Sequence, residues 1–177
     1  MRRALVVAAV VCAFAFGVLA QDTADKPVIL HNGAAKFGPL PGAPECVTVA
    51  PQHGNSASGP SVVQLKFDST CVVPWHWHSI NETVTGVSGL LQVTEKGGKP
   101  QVVGAGDFAY MPAKHVHQAK CAGTKPCTIF LHSDGIFDLH YVDKDGAEIP
   151  PEKALADVNK PADKPGAKPA AKPAPKQ

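Results

Sequence analysis

Residues 75–82 read Trp-His-Trp-His-Ser-Ile-Asn-Glu, and residues 106–117 read Gly-Asp-Phe-Ala-Tyr-Met-Pro-Ala-Lys-His-Val-His. In an extended chain, residues two apart share a face, so His76 and His78 point one way and Trp75 and Trp77 the other. Ser79, Ile80 and Asn81 then separate His78 from Glu82, which opens the next strand-like run. A hairpin return at this point brings the Glu82 carboxylate beside the two imidazoles, and two neutral imidazoles with a carboxylate suit a divalent transition metal. The plainer alternative is a set of surface polar residues on an edge strand.

The flanking sequence has the same texture. Over Ser61–Phe67, Val63, Leu65 and Phe67 fall on one face and Gln64 and Lys66 on the other. Further strand-like runs cover Cys71–His78, Glu82–Val87, Leu90–Glu95, Gln101–Val103, Phe108–Met111, His115–Lys120, Cys127–His132 and Phe137–Val142. Turn residues punctuate them, among them Gly97-Gly98, Gly104 to Asp107, Asp134-Gly135 and Asp145-Gly146. Short strands at this spacing predict an all-β sandwich or barrel. The 16 Gly and 17 Pro in 177 residues argue against long helices, and only Pro151–Val158 reads as helical. Asp107 reads as a turn residue. Val84 shares a face with Glu82, and Phe108 shares one with Tyr110; with those faces inward, Val84, Phe108 and Tyr110 line an apolar substrate pocket. Tyr110 then either donates a hydrogen bond to a ligand or packs as a core tyrosine. Trp75 and Trp77 are expected to pack against the N-terminal arm or a dimer partner. His31, His53, His132 and His140 read as structural.

The two quoted segments resemble the paired motifs of the cupin superfamily. Its first motif has His-x-His, three or four residues, Glu, six residues and Gly, which His76, His78, Glu82 and Gly89 meet. Its second has Gly, five residues, Pro-x-Gly, two residues and His, which Gly106, Pro112 and His117 meet. Lys114 stands where that motif has glycine, and a lysine is disfavoured at the positive φ of a tight turn. The resemblance spans about residues 45–142. It implies a single jelly-roll β-barrel holding one divalent transition metal (Mn, Fe, Co, Ni, Cu or Zn) by His76, His78, Glu82 and His117. His115 has the same parity as His117 and is the alternative fourth ligand.

Outside the barrel, the chain reads as four further pieces. Residues 1–20 have two arginines, an apolar run from Leu5 to Leu19, and Val18 and Ala20 at the −3 and −1 positions of a cleavage site, the layout of a secretory signal peptide. The run is short for a membrane span, and Cys12 lies mid-run rather than at a lipoprotein cleavage site. Residues 21–44 are a Pro/Gly-rich arm, expected to hold loosely to a barrel over 45–150. A short helix is expected over 151–159. Residues 160–177 are a disordered tail with lysines at 160, 164, 168, 172 and 176 and five prolines, which cannot fill a core. With the two leader arginines and the four net positive charges of the tail set aside, residues 21–159 carry a formal charge of −4 against +2 for the whole chain. A nucleic-acid groove is not expected on such a body, whereas the tail suits attachment to an anionic envelope surface.

Cys46, Cys71, Cys121 and Cys127 remain in an exported body, and an even number reads as two disulfides. Cys121 with Cys127 and Cys46 with Cys71 is the first pairing; Cys71 with Cys121 is open if their strands lie side by side, and a four-thiolate zinc site is the remaining reading. The expected product is an exported, periplasmic or secreted protein, with a homodimer suggested by the resemblance. Its expected activity is oxidative, dioxygenase-like chemistry on a small-molecule ligand, with isomerase or decarboxylase as related outcomes. A non-catalytic metal- or ligand-binding barrel is the rival reading, and an envelope protein relying on its tail is a third.

Overall fold

The computed structural model describes residues 27–31, 33–156 and 158. The leader expected over 1–20 and the tail expected over 160–177 lie outside the described residues. Among the described residues, eleven strands and one short helix follow in order. The arm gives β1 (Gly38–Pro39), and β2 (Val47–Gly54) and β3 (Ser61–Phe67) follow. Next come β4 (Val72–Trp77), β5 (Glu82–Ser88), β6 (Leu90–Glu95) and β7 (Gln101–Val103). The chain continues with β8 (Phe108–Met111), β9 (His117–Ala122), β10 (Cys127–Ser133), β11 (His140–Tyr141) and α1 (Pro151–Ala156).

Two antiparallel sheets result, one in the order β1-β2-β3-β10-β5-β8 and the other β11-β4-β9-β6-β7. Their inner faces supply the core: Val63, Leu65 and Phe67 from β3, Leu91 and Val93 from β6, and Ile129 and Leu131 from β10 are all buried. Alternate residues of each strand point outward, as a pleated strand requires. The strand expected over Phe137–Val142 is reduced to β11, because residues 134–139 form a loop over the end of the sandwich. β2 is a strand with little alternation of its own: Pro51 interrupts it, and the pairing with β3 shifts register between Pro51 and His53, a place where a strand tolerates proline.

The connection from β4 to β5 is not the expected hairpin. β4 lies in one sheet and β5 in the other, so Ser79 to Asn81 cross between layers. The crossing is pinned at both ends: Asp138 accepts from the Ser79 amide at 2.7 Å, and Asp134 accepts from the Asn81 amide at 3.0 Å. The arm also departs from expectation, being held rather than loose. β1 pairs with β2, Pro44 is fully buried, and the Tyr141 hydroxyl donates to the Gly42 carbonyl at 2.8 Å.

Disulfides join Cys46 to Cys71 and Cys121 to Cys127. Cys46 leads into β2 and Cys71 into β4, while Cys127 lies in β10 and Cys121 in β9, so each bridge ties one sheet to the other. The Cys121 amide also donates to the Cys71 carbonyl at 2.9 Å, which places both bridges at the same end of the sandwich. Closing the loop of sequence separation 25 stabilises by about 3 kcal/mol on chain-entropy grounds. Replacing Cys46 and Cys71 together by serine is therefore expected to lower the unfolding free energy by about 3 kcal/mol in a denaturant titration. It should leave metal stoichiometry unchanged, since the histidines sit at the opposite ends of β4 and β9.

Candidate metal centre

The local sequence delivers the histidines through a break in strand regularity. Val73 and His76 are both buried although three residues apart, which strict alternation forbids. The β4–β9 pairing shifts register between them, at Pro74, which has no amide to give to a ladder. Beyond this bulge His76 faces inward, opposite His117 of β9 in the ladder, and His78 follows two residues later on the same side. Glu82, the first residue of β5, reaches the same point from the other sheet.

All four side chains are 4–6% exposed. One ring nitrogen from each of His76, His78 and His117 lies within 4.8 Å of the others. The Glu82 Oε2 atom stands 3.3 Å from His78 Nε2 and 3.5 Å from His117 Nε2. The far side of each ring is also spoken for. His76 Nδ1 meets the Pro74 carbonyl at 2.6 Å, His117 Nδ1 meets the His115 carbonyl at 3.0 Å, and His78 Nδ1 meets the Asp138 carbonyl. A carbonyl only accepts, so each Nδ1 carries the proton and each neutral ring turns a bare Nε2 lone pair inward. This is the outer-partner arrangement that orients metal-ligating histidines.

The fit to a cation follows from what Glu82 lacks. Its Oε2 is buried with no hydrogen-bond partner, and a buried unpaired carboxylate oxygen is costly. With all three rings neutral, three lone pairs and one anionic oxygen converge without a donor, an arrangement that a divalent ion satisfies and that, in the metal-free protein, a second proton on His78 Nε2 also meets. In the metal-free protein, protons respond to the same field. Burial and the neighbouring imidazoles hold His76 well below the ordinary histidine range. Burial also lowers His117, more than Glu82 raises it. Burial works against a charge on His78, but the Glu82 carboxylate outweighs it and raises His78. Glu82 itself is lowered, the two imidazoles prevailing over burial.

The other sequence-predicted residues divide sharply. Val84 is buried on the inner face beside the centre. Phe108 and Tyr110 do share a face, but it is the outer one: they are 66% and 51% exposed. β8 pairs with β5 so that Glu82 opposes Met111 and Val84 opposes Ala109, and cross-strand partners point the same way, leaving Phe108 and Tyr110 in solvent. Neither lines the pocket, and Tyr110 is not a core residue. Asp107 is the turn residue expected, accepting from the Gly104 amide at 2.9 Å. Lys114 adopts the disfavoured conformation all the same, with φ of 63°, and its amide donates to the His78 carbonyl at 2.8 Å. His115 points away to the exposed Glu95 at 3.3 Å, which leaves His117 at the centre. Trp77 stacks on His140 at 3.9 Å rather than on the arm. Trp75 faces a groove lined by Val142, Ile149 and Ala154.

Several residues of the site carry no sequence signal. Phe137 packs on the His78 ring at 4.9 Å, and Phe137, Leu139 and the arm residues Leu40 and Ala43 line the cavity over the histidines. Asp138 serves His78 through its main chain and His140 through its carboxylate at 3.2 Å. A backbone acceptor 60 residues from its histidine leaves no mark on side-chain patterns.

Two outcomes are expected. His117→Ala should weaken metal binding by more than the roughly 10–100-fold typical of an outer partner, whereas His115→Ala should leave the stoichiometry found by elemental analysis unchanged. For the metal-free protein, His76 is lowered, so its contribution to stability is full above its ordinary value of 6.5 and is lost as pH falls below it. Glu82, also lowered, loses its contribution at still lower pH. His117, also lowered, acts in the same direction and the raised His78 acts against both; with His76 lowered the furthest, the urea midpoint should fall between pH 7 and pH 5, and His76→Leu should flatten that fall.

Known proteins share this fold. The Cupin domain family model matches residues 66–133. Among solved structures, the polyketide cyclase RemF from Streptomyces resistomycificus superimposes with TM-score 0.56 at 16% identity, covering 73% of this chain and 99% of its own. KdgF from Halomonas sp. gives 0.51 at 18% identity over 62% of this chain and 94% of its own. A putative ethanolamine utilization protein Q from Salmonella typhimurium gives 0.51 at 19% over 61% and 85%. No curated protein matches the sequence. Likeness at such identity establishes the fold and nothing about the reaction. Two facing antiparallel sheets, the family model matched over residues 66–133 and three histidines gathered from both motifs mark this part of the chain as a cupin domain.

Proposed function

We propose that the chain is an exported, metal-dependent protein that carries out oxidative, dioxygenase-like chemistry on a small organic molecule at His76, His78, Glu82 and His117. The observation that carries this reading is the buried Glu82 oxygen without a donor, facing imidazoles whose protons are already given to carbonyls. A divalent transition ion held there, Mn, Fe, Co, Ni, Cu or Zn by the mixed nitrogen and oxygen donors, supplies Lewis acidity and open coordination positions. Glu82 lowers the net charge of the centre, the three carbonyls hold the rings in one tautomer, and Phe137 with Leu139 keeps water off the His78 side. Beyond the four ligands, the described residues that line the cavity include no carboxylate, lysine, tyrosine or cysteine. That favours reaction with dioxygen over a decarboxylation or isomerisation that calls on a separate protein acid.

The same scarcity, with a cavity of about 50 Å³, favours one rival: a barrel of the cell envelope that binds a metal or small ligand without turnover. Export is supported by the two disulfides, which persist in oxidising compartments. Attachment to an anionic surface through the lysine-rich tail belongs to the same proposal.

Elemental analysis of protein from its native compartment is expected to show one transition metal per chain, absent from a His76→Ala, His78→Ala double variant. The metal-loaded protein should then consume oxygen with a member of a catechol, thiol and keto-acid panel, and chelation should abolish the signal. Stoichiometric metal without turnover across the panel would select the binding barrel. Metal retained by the double variant would remove the site altogether.

A further inference from the structure

The cavity above the histidines has an unusual wall. Apart from His76, His78, Glu82 and His117, every lining side chain is apolar, from Val84 and Met111 on the β5–β8 side to Leu91 and Val93 across the sandwich. Among the described residues no arginine, lysine, serine, threonine, asparagine or glutamine faces it. At about 50 Å³ it holds roughly three to five water-sized groups, at about 10–15 Å³ each. Part of the wall is not barrel at all. Leu40 and Ala43 belong to the arm, which is kept in place by the Tyr141 hydroxyl on the Gly42 carbonyl, by buried Pro44 and by the disulfide that starts at Cys46. Tyr141 is buried, which pushes its phenol up to about 12, so it remains a donor across the physiological range.

Charge then restricts what can enter. Three neutral imidazoles, one carboxylate and a divalent ion leave a single net positive charge in surroundings that cannot solvate it. One anionic donor cancels that charge, and a second charged or hydroxyl-rich group finds no partner and carries its full desolvation cost. Resting on the metal-centre reading above, we propose that the ligand is a compact monoanion: one carboxylate or thiolate head on a short apolar body, admitted beneath the arm, with Leu40 setting the length accepted. Dicarboxylates, sugars and phosphorylated compounds are excluded by the wall rather than by the ligand set.

The test uses the full-length mature protein loaded with cobalt(II), whose visible absorption reports on ligands entering its coordination sphere. Acetate and ethanethiol, which keep to three or four non-hydrogen atoms and head the two chain-length series, serve as probes of the two heads, with succinate and inorganic phosphate as the excluded classes. Either monoanion should perturb the spectrum saturably and at least tenfold more tightly than succinate or phosphate. Affinity along the chain-length series of the binding head should collapse beyond a cut-off, and Leu40→Ala should move that cut-off to longer chains without changing cobalt stoichiometry. Succinate or phosphate matching the monoanions, no spectral response to either head, or a cut-off indifferent to Leu40→Ala would overturn the inference while leaving the metal centre intact. Failure to bind cobalt at all would instead overturn the metal reading, and the inference with it.

Discussion

A carboxylate oxygen buried against three imidazoles whose Nδ1 protons are already given to carbonyls is the constraint around which the rest of the molecule is arranged. Leaving Glu82 Oε2 unpartnered away from water is unfavourable, and so is keeping His76 neutral where its neighbours are also bases. Such a cluster survives only if rigid surroundings hold it and if something completes it. The surroundings are explicit: a bulge at Pro74 turns His76 inward and lends a carbonyl to its ring, the ladder sets His117 opposite, and the loop over 134–139 supplies the acceptor for His78. A cation bound there would turn the same groups from a liability into a binding site.

The two ends of the sandwich divide the labour. At one end, paired disulfides bind sheet to sheet, so the layers are held together without relying on the centre. At the other end three short crossings join the layers, Ser79 to Asn81, residues 112–116 and residues 134–139, with the arm beside them. This lets the site remain open to chemistry while the core keeps its shape. Asp138 links the centre to the surface: its carbonyl holds His78, and its carboxylate holds the Ser79 amide and His140, itself stacked on Trp77 and bonded to Glu148 at 2.8 Å. Partial burial works against a charge on His140, yet these two carboxylates raise its pKa.

How much could be read in advance varied with the kind of signal. Ser61–Phe67 declares its strand and its inner face because large apolar and polar residues alternate along it. β8 does not: Phe108, Ala109, Tyr110 and Met111 offer apolar atoms to both faces, so parity pairs Phe108 with Tyr110 but cannot say which side is inside. Partnership with β5 settles that, and sends both to solvent. Glu82 lies beside the histidines without the hairpin that its spacing suggests, since four residues can span between two sheets as readily as they can turn a hairpin. Lys114 shows the reverse case, in which local preference argued against a turn that the His78 carbonyl and the neighbouring strands nevertheless hold.

Local chemistry along the chain thus determined which strands form, which residues can bind a metal, and that four cysteines would be paired, because these depend on side-chain type and short spacing. Only the assembled sandwich decided that the acid arrives from the opposite sheet, that the bridges close the far end, and that the arm and the loop over 134–139 cover the centre. Those features depend on backbone groups and on contacts between segments as far apart as Gly42 and Tyr141, which leave no periodic trace in the order of residues.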